Sequence, residues 1–184
     1  MGNGGIAGTL AAAGLSLAGI VATGAAMAMG SVSKPVPMPS ACEALKAIDT
    51  AALLGDTPDF NLNNDNKSDL GRMTTCIALD AKSKNQLVLL LRAAAKPPGT
   101  DGATLRKQYI ESVNAVADPK MTTENLDIGD AAVWTKEDRQ LTFWTHKGQM
   151  MMVLSGGNTL PGGAASFALP QLETIAREIV AAYP

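Results

Sequence analysis

The distribution of charge along this chain limits what it can fold into. The first 33 of the 184 residues contain no Asp, Glu, Lys or Arg, whereas all 15 Lys and Arg and all 17 Asp and Glu follow them. Residues 6–29 form an apolar run of mostly small side chains. A helix needs about 20 such residues to cross a bilayer. The sequence therefore predicts an N-terminal apolar helix ahead of a globular region.

The role of this leader has two interpretations. Ala26-Met27-Ala28 resembles the small-residue cleavage site of a secretory signal. No Lys or Arg precedes the run, however, so a retained membrane anchor also fits. A cytoplasmic protein with a Gly- and Ala-rich leader is the remaining alternative.

A short Pro-rich segment separates the leader from the rest of the chain. Residues 34–39 carry Pro at every second position, which excludes a helix and favours an extended tether. We predict a signal peptide or membrane anchor over 1–33, the tether over 34–39, and a single domain over 40–184.

Composition excludes several classes of function. A net charge of −2 and a pI near 5.3 lack the basic footprint of a nucleic-acid-binding protein. One His and two Cys cannot build a multi-His metal site, a four-cysteine zinc site or a four-thiolate iron–sulfur cluster within one chain. The sequence contains no P-loop, no His-Glu-x-x-His motif and no Gly-x-Ser-x-Gly elbow. We therefore predict no nucleic-acid partner, no cofactor, no metal site and no catalytic residue.

The region after the tether alternates between helical and strand patterns. Ser40 followed by Glu43 is a capping box that starts a first helix. The polar, Asn-rich stretch 56–69 is predicted as a loop, and the apolar runs 73–79 and 86–91 as strands. A second helix, capped by Asp101, is predicted to have an apolar face made of Leu105, Tyr109, Val113 and Val116.

The C-terminal half continues this alternation. Residues 127–134 are predicted as a strand, and 140–145 with 150–155 as a hairpin. A last helix begins near Pro170. Its apolar stripe comprises Leu172, Ile175, Ala176, Ile179, Val180 and Tyr183. The predicted order is α-β-β-α-β-β-β-α, which indicates an α+β fold with helices packed on an antiparallel sheet.

The succession of these motifs resembles a known group of proteins. It consists of Cys42 in a helix, the segment 52–55, Cys76 at the start of a strand, the segment 128–134, and then a hairpin and an amphipathic helix. This pattern is similar to that of small bacterial cell-envelope proteins of unknown function. Many of these are lipoproteins with an α/β sandwich like that of the PsbP family. The resemblance covers about 40–184, implies a fold and a compartment, and carries no catalytic residues.

The two cysteines are predicted to pair. Two Cys alone in an exported domain suggest one disulfide, here between Cys42 and Cys76. A lipid-modified Cys42 is an alternative, because Ser40-Ala41-Cys42 resembles the end of a lipobox. Pro39 stands where that motif needs a Leu-like residue, which argues against lipidation. Two buried thiols are the third interpretation.

One polar segment begins like a calcium loop. Residues 59–65 place oxygen donors at the first, third, fifth and seventh positions of an EF-hand. Asn64, Lys67 and Leu70 then occupy positions where Gly, a ligand and a bidentate Glu belong. We therefore predict an ordinary polar loop rather than a metal site.

Two further groups are weak candidates for chemistry. His146, Met150 and Met152 are residue types that bind copper, but the predicted hairpin register puts His146 and Met150 in pairs on opposite faces. Glu137 and Asp138 could act as paired acids, but their place near a tight turn favours a solvated turn. Neither group is predicted as a site.

One apolar surface of the hairpin has no assigned neighbour. Met150 and Met152 are predicted to face the core, so Trp144, Met151 and Val153 lie on the opposite face. Either a helix covers these three side chains, or they form an exposed patch that binds a ligand or partner.

These observations lead to a functional prediction. We expect a non-catalytic envelope module, exported or membrane-anchored, that binds a small ligand, a lipid or a protein partner. It would be periplasmic, secreted or anchored facing an oxidising compartment, and would contact a membrane through 6–29 if that segment is not cleaved. The alternatives are a hydrolase of unfamiliar type and a structural membrane-anchored subunit of an envelope complex.

Overall fold

A computed structural model describes residues 38–95, 98–117, 119–158 and 167–184, which belong to one compact unit. These residues contain four helices, α1 (Ala41–Lys46), α2 (Ala51–Leu54), α3 (Gly102–Val116) and α4 (Leu169–Ala182). They also contain seven strands, β1 (Asp59–Ser68), β2 (Gly71–Leu79), β3 (Asn85–Ala94), β4 (Thr123–Leu126), β5 (Ala131–Thr135), β6 (Gln140–Thr145) and β7 (Met150–Asn158). The predicted α+β class is confirmed.

The described strands form one antiparallel sheet in the order β1-β2-β3-β7-β6-β5-β4. The sheet consists of two meanders, β1 to β3 and β4 to β7, which join where β3 pairs with β7. The chain crosses from the middle of the sheet to its far edge through α3. This crossover places α3 on the opposite face from the other three helices.

One face of the sheet, called here the covered face, is buried under α1, α2 and α4. Its strand side chains are fully or almost fully excluded from solvent, and they include Cys76, Leu89, Leu91, Leu141, Phe143, Met152 and Leu154. The stripe predicted for the last helix packs on them, with Leu172, Ile175, Ala176 and Ile179 buried. This helix, α4, contacts the β6–β7 hairpin.

Three local contacts fix α1 on the covered face. Ser40 and Glu43 form the predicted capping box, in which the Ser40 hydroxyl accepts from the Glu43 N–H at 3.2 Å. The Thr74 hydroxyl accepts from the Ala41 N–H at 2.8 Å. Cys42 forms a disulfide with its β2 partner, Cys76, and their Cα atoms lie 5.0 Å apart. The capping box stabilises the start of the helix, and the contacts with Thr74 and Cys76 hold it against β2.

The other face is covered by α3 over one part of the sheet only. Asp101 caps α3 as predicted, accepting from the Thr104 N–H at 2.9 Å. Leu105 is buried in a small cluster with Ala131, Val133 and Trp144, and Tyr109, Ile110 and Met151 pack against this cluster. The helix therefore protects β5 and the neighbouring part of β6.

The predicted loop over 56–69 is wrong, because β1 occupies most of it. This strand is exposed along nearly all its length, so no apolar run reveals it in the sequence. Its backbone pairs with β2 from Asp59 opposite Leu79 to Ser68 opposite Gly71. Gly71 makes the turn at φ +142, where a Cβ atom would overlap the Ala93 carbonyl oxygen.

The predicted strand over 127–134 is correct only in its second half, where β5 begins at Ala131. Residues 127–130 form a bend, and a separate strand, β4, ends before them at Leu126. Gly129 adopts φ +60 at the bend, and a Cβ atom there would overlap the Trp144 carbonyl oxygen. The observed order therefore has two more strands than predicted, and the short α2 is a separate helix. The correction changes the topology but not the fold class.

The predicted apolar face of α3 is correct at Leu105 and wrong at its far end. Val116 is 88% exposed, whereas Ile110 packs against the cluster under the helix. The reason is length, because α3 extends about 22 Å and the five residues of β5 extend about 17 Å. A helix longer than the strand it covers cannot bury its whole apolar face on that strand.

The predicted apolar helix over 6–29 and most of the tether over 34–39 lie outside the described residues. Among the residues that are described, no helix is both long and apolar enough to cross a membrane.

Candidate ligand-binding face

The part of the sheet that α3 does not cover carries an apolar surface, called here the open face. It belongs to β2, β3 and β7, on the side opposite the covered face. Its side chains are half-buried, and the apolar ones are Met73, Ile77, Leu79, Val88, Leu90, Met151 and Val153. Within the described ranges, no helix packs over β2 and β3 on this side.

The open face differs from an ordinary solvated sheet surface. Antiparallel sheets with one face in water usually alternate apolar inward and polar outward residues. In β3, Leu87, Leu89 and Leu91 point to the covered face and are fully buried. Val88 and Leu90 between them point outward, yet they are equally apolar. An apolar surface of this kind on a described face without a helix is typical of an interaction site.

The open face ends against α3 on one side. The rings of Tyr109 and Trp144 meet edge to face, with centroids 5.6 Å apart. The Thr142 hydroxyl donates to the Tyr109 hydroxyl at 3.0 Å. Because Thr142 pairs with Val153 across the β6–β7 ladder, Tyr109 stands at the border between the covered part of this face and the open part.

Amide side chains border the open face on the opposite side. The β1 register places Asn61 across from Ile77, Asn64 across from Thr75 and Asn66 across from Met73. A bulge between Leu62 and Asn64 shifts the register of β1. These asparagines are exposed and give the apolar surface a neutral polar rim.

One end of the open face carries a cation beside a small cavity. Arg92 lies between Met73 and Met151 in the strand register, and its side chain is exposed. A cavity of about 130 Å³ lies at this end, and its lining includes Asn66, Ser68 and Arg92. The apolar surface, its polar rim and the cation at its end can together accommodate an amphiphilic ligand.

The structure divides the predicted patch of Trp144, Met151 and Val153. Trp144 is buried at 5% exposure beneath α3, as the helix-covered interpretation expects. Met151 and Val153 are half-buried and belong to the open face, as the patch interpretation expects. The patch therefore continues away from Trp144 onto β3 and β2.

The predicted disulfide between Cys42 and Cys76 is present, with both sulfur atoms bonded to each other. This pairing corrects both alternatives, since neither a lipid-modified Cys42 nor two thiols is compatible with it. Both residues are buried, at 7% and 0% exposure, on the covered face. The bridge therefore supports the fold and lies on the side of the sheet opposite the open face.

Several carboxyl groups have lowered pKa values, and local structure explains each of them. Hydrogen bonds from Ser40 lower the pKa of Glu43, and hydrogen bonds from Ser83 and Lys82 lower that of Asp80. Thr104 lowers the pKa of Asp101, and Thr122 lowers that of Glu137. These side chains cap helices and close turns as anions.

The structure also shows where the residues of the weaker candidate metal sites lie. The segment with the EF-hand-like start, 59–65, is part of β1 and pairs with β2 instead of looping around an ion. The described residues contain no group of three or more His, Cys, Asp or Glu that could hold a metal ion. His146 lies in the β6–β7 turn at φ 54. Met150 is buried on the covered face.

Sequence reasoning missed the β2 and β3 part of the open face. Alternation in 73–79 was a usable signal, because Met73, Ile77 and Leu79 share one strand face. In β3 the run from Leu87 to Leu91 is apolar at every position, so it predicts cover on both sides. The structure covers only one of them within the described residues.

The comparisons with known proteins give no relative from which a function could be carried over. No protein-family model matches the chain, and neither does any curated protein or solved structure.

Proposed function

We propose that the protein is a non-catalytic binding module whose ligand-binding surface is the open face. The observation that supports this proposal is the apolar character of outward-pointing residues on three adjacent strands, exemplified by Ile77, Val88 and Val153. Removing apolar surface from water contributes a favourable free energy of about 25 cal/mol for each Å² that is buried. A ligand that buries these residues gains this free energy.

The shape of the site supports a ligand that lies on the sheet rather than inside it. From Met73 to Leu79 the open face extends about 20 Å along the strands, and it is about 14 Å wide across three strands. Its area of about 300 Å² is at the lower end of the largest apolar patch on a typical monomer.

We further propose that the module acts in the cell envelope, periplasmic, secreted or held at a membrane by its leader. The disulfide between Cys42 and Cys76 favours an oxidising compartment. The charge-free leader over 1–33 is consistent with export or anchoring. The resemblance to small envelope proteins with a PsbP-like sandwich implies the same compartment. Intact-mass measurement of protein from its native compartment tests cleavage and the disulfide together.

Binding to the open face can be tested with a neutral solvatochromic dye. The double variant Val88→Thr and Val153→Thr keeps side-chain shape but adds two hydroxyl groups to the face. We expect its affinity for the dye to fall about tenfold, because each buried hydroxyl without a partner costs about 0.5–2 kcal/mol. Fluorescence titration of the full chain measures this.

The matched control for this test is Val116→Thr, at an exposed position on the last turn of α3. It introduces the same chemical change away from the open face, so it should bind the dye like the wild type. Equal dye affinity in the wild type, the double variant and the control would refute the proposal, as would absence of dye binding to the wild type. Near-ultraviolet circular dichroism verifies that all three are folded.

A further inference from the structure

The open face is chemically polarised along the strands. Across β1, β2, β3 and β7, the strand register places only two charged side chains on this side of the sheet. Arg92 lies at one end, in the row of Met73 and Met151. Asp59 lies at the other end, opposite Leu79. A ligand that lies along the strands therefore meets a cation at one end and an anion at the other.

Arg92 is available to a ligand, whereas its neighbour Arg72 is not. The Arg72 guanidinium donates two hydrogen bonds of 2.8 Å to the Asp65 carboxylate and a third, of 3.2 Å, to the Met38 carbonyl oxygen. Arg92 makes no hydrogen bond or ion pair with any described residue. Its neighbours on the open face are uncharged, so its positive charge is not compensated there.

The cavity beside Arg92 suits a small anion. It holds about 130 Å³, and Asn66 and Ser68 contribute neutral polar side chains to its lining. Carboxylate and phosphate groups are the anions that a guanidinium binds best, through two parallel N–H···O bonds.

The dimensions of the open face indicate which kind of apolar group it can bind. Its area of about 300 Å² is well below the roughly 800 Å² per partner that a stable protein–protein interface buries. Its length of about 20 Å exceeds the roughly 15 Å that one acyl chain occupies in half of a bilayer core. One acyl chain therefore fits along the strands, whereas the open face alone is too small for a stable interface with a folded protein.

We infer that the ligand is a single-chain anionic amphiphile, with its chain along Val88 and Leu90 and its anionic headgroup at Arg92. This inference rests on the proposed function and adds the chemical class of the ligand. Asp59 at the opposite end repels the same headgroup, so the ligand has one favoured direction on the sheet.

The inference can be tested with three probes used below their aggregation concentrations. Decyl phosphate has the chain and the charge, decanol has the chain alone, and inorganic phosphate has the charge alone. We expect decyl phosphate to bind one molecule per chain by isothermal titration calorimetry and to displace the neutral dye. Decanol should bind about tenfold more weakly, because it lacks the charge-assisted hydrogen bonds to Arg92.

Two variants test whether the charge of Arg92 is responsible for the tighter binding of decyl phosphate. Arg92→Gln should weaken decyl phosphate about tenfold and leave the affinity for decanol unchanged. Arg139→Gln removes an equal charge from the exposed turn between β5 and β6, so it should change neither affinity. Molar salt should reduce the preference of the wild type for decyl phosphate over decanol.

The outcomes separate this inference from the proposal on which it rests. The assignment of an anionic headgroup is overturned if the wild type binds decyl phosphate and decanol equally. It is also overturned if Arg92→Gln binds decyl phosphate as the wild type does. Neither result contradicts the apolar site. Dye binding without displacement by either alkyl probe overturns the acyl-chain assignment. Absence of both dye and alkyl binding overturns the proposed function itself. Displacement of the dye by inorganic phosphate alone overturns the role of the chain.

Discussion

The two faces of the sheet have similarly apolar strand residues but different cover. Leu89 and Leu90 are neighbours in β3, and only the direction of their side chains differs. Leu89 is fully buried beneath the helices of the covered face, whereas Leu90 is half-buried on the open face. The comparison indicates that an apolar side chain in a sheet stabilises the fold most where another element packs on it. On the described open face, the same chemistry is available for binding.

The largest expected effect concerns the bridge on the covered face. Replacing both Cys42 and Cys76 by Ala should lower the free energy of unfolding by about 3–4 kcal/mol, from the entropy of a loop that spans 34 residues. Dye binding to the folded variant should not change, because the bridge lies on the other side of the sheet. Denaturant melts with and without reductant measure the first quantity, and dye titration measures the second.

A result that contradicts the comparison would be a folded double-Ala variant that no longer binds the dye. It would show that the disulfide shapes the open face through β2 and that the two faces are not independent.

A smaller effect is expected from the neighbouring leucines of β3. Leu89→Ala should cost about 3 kcal/mol, since it leaves a cavity in the covered core. Leu90→Ala should cost under about 1 kcal/mol, because part of that side chain is already in water. Urea unfolding of both variants gives the difference. Equal costs for the two substitutions would show that the open face is as well packed as the covered one.

The smallest effect is expected at the edge of the sheet, where Asp65 of β1 pairs with Arg72 of β2. The Arg72 guanidinium lowers the pKa of the Asp65 carboxyl group, first through its hydrogen bonds and then through its charge. A pKa that is lower in the folded state means that the stabilisation is present above the unfolded value near 3.9 and is lost as the pH falls through the folded value.

Asp65→Asn should therefore be slightly less stable than the wild type at pH 6, and this difference should vanish as the pH falls from about 4 towards 2. Thermal unfolding across this range measures it. A difference that persists unchanged at low pH would assign the effect to packing of β1 and not to the charge of Asp65.

The covered core could be predicted from the sequence, because the periodicity that defines it lies within single helices and hairpins. The stripe from Leu172 to Ile179 and the β6–β7 register follow from helical and strand periodicity. The β1 strand could not, since its exposed Asn-rich side chains have low strand propensity, and pairing with β2 determines its conformation.

The limits of the open face could not be predicted for a different reason. Periodicity tells which side chains share a face, but not which face a distant helix covers. Here α3 packs over β5, because the chain crosses the sheet to reach the edge strand β4. Trp144 is thereby covered and Val153 is not, although both belonged to one predicted patch.

The junction between the two meanders has a consequence for the order in which the sheet assembles. Cys42 lies in α1 and Cys76 in β2, so the bridge can form without the second meander. The β3–β7 ladder joins residues as far apart in sequence as Asn85 and Asn158, and it must wait for both meanders. Distant pairings close slowly, since the chain between them must first be ordered. Until then the apolar edge of β3 is unpaired, and an unpaired strand edge of this kind favours aggregation of the folding chain.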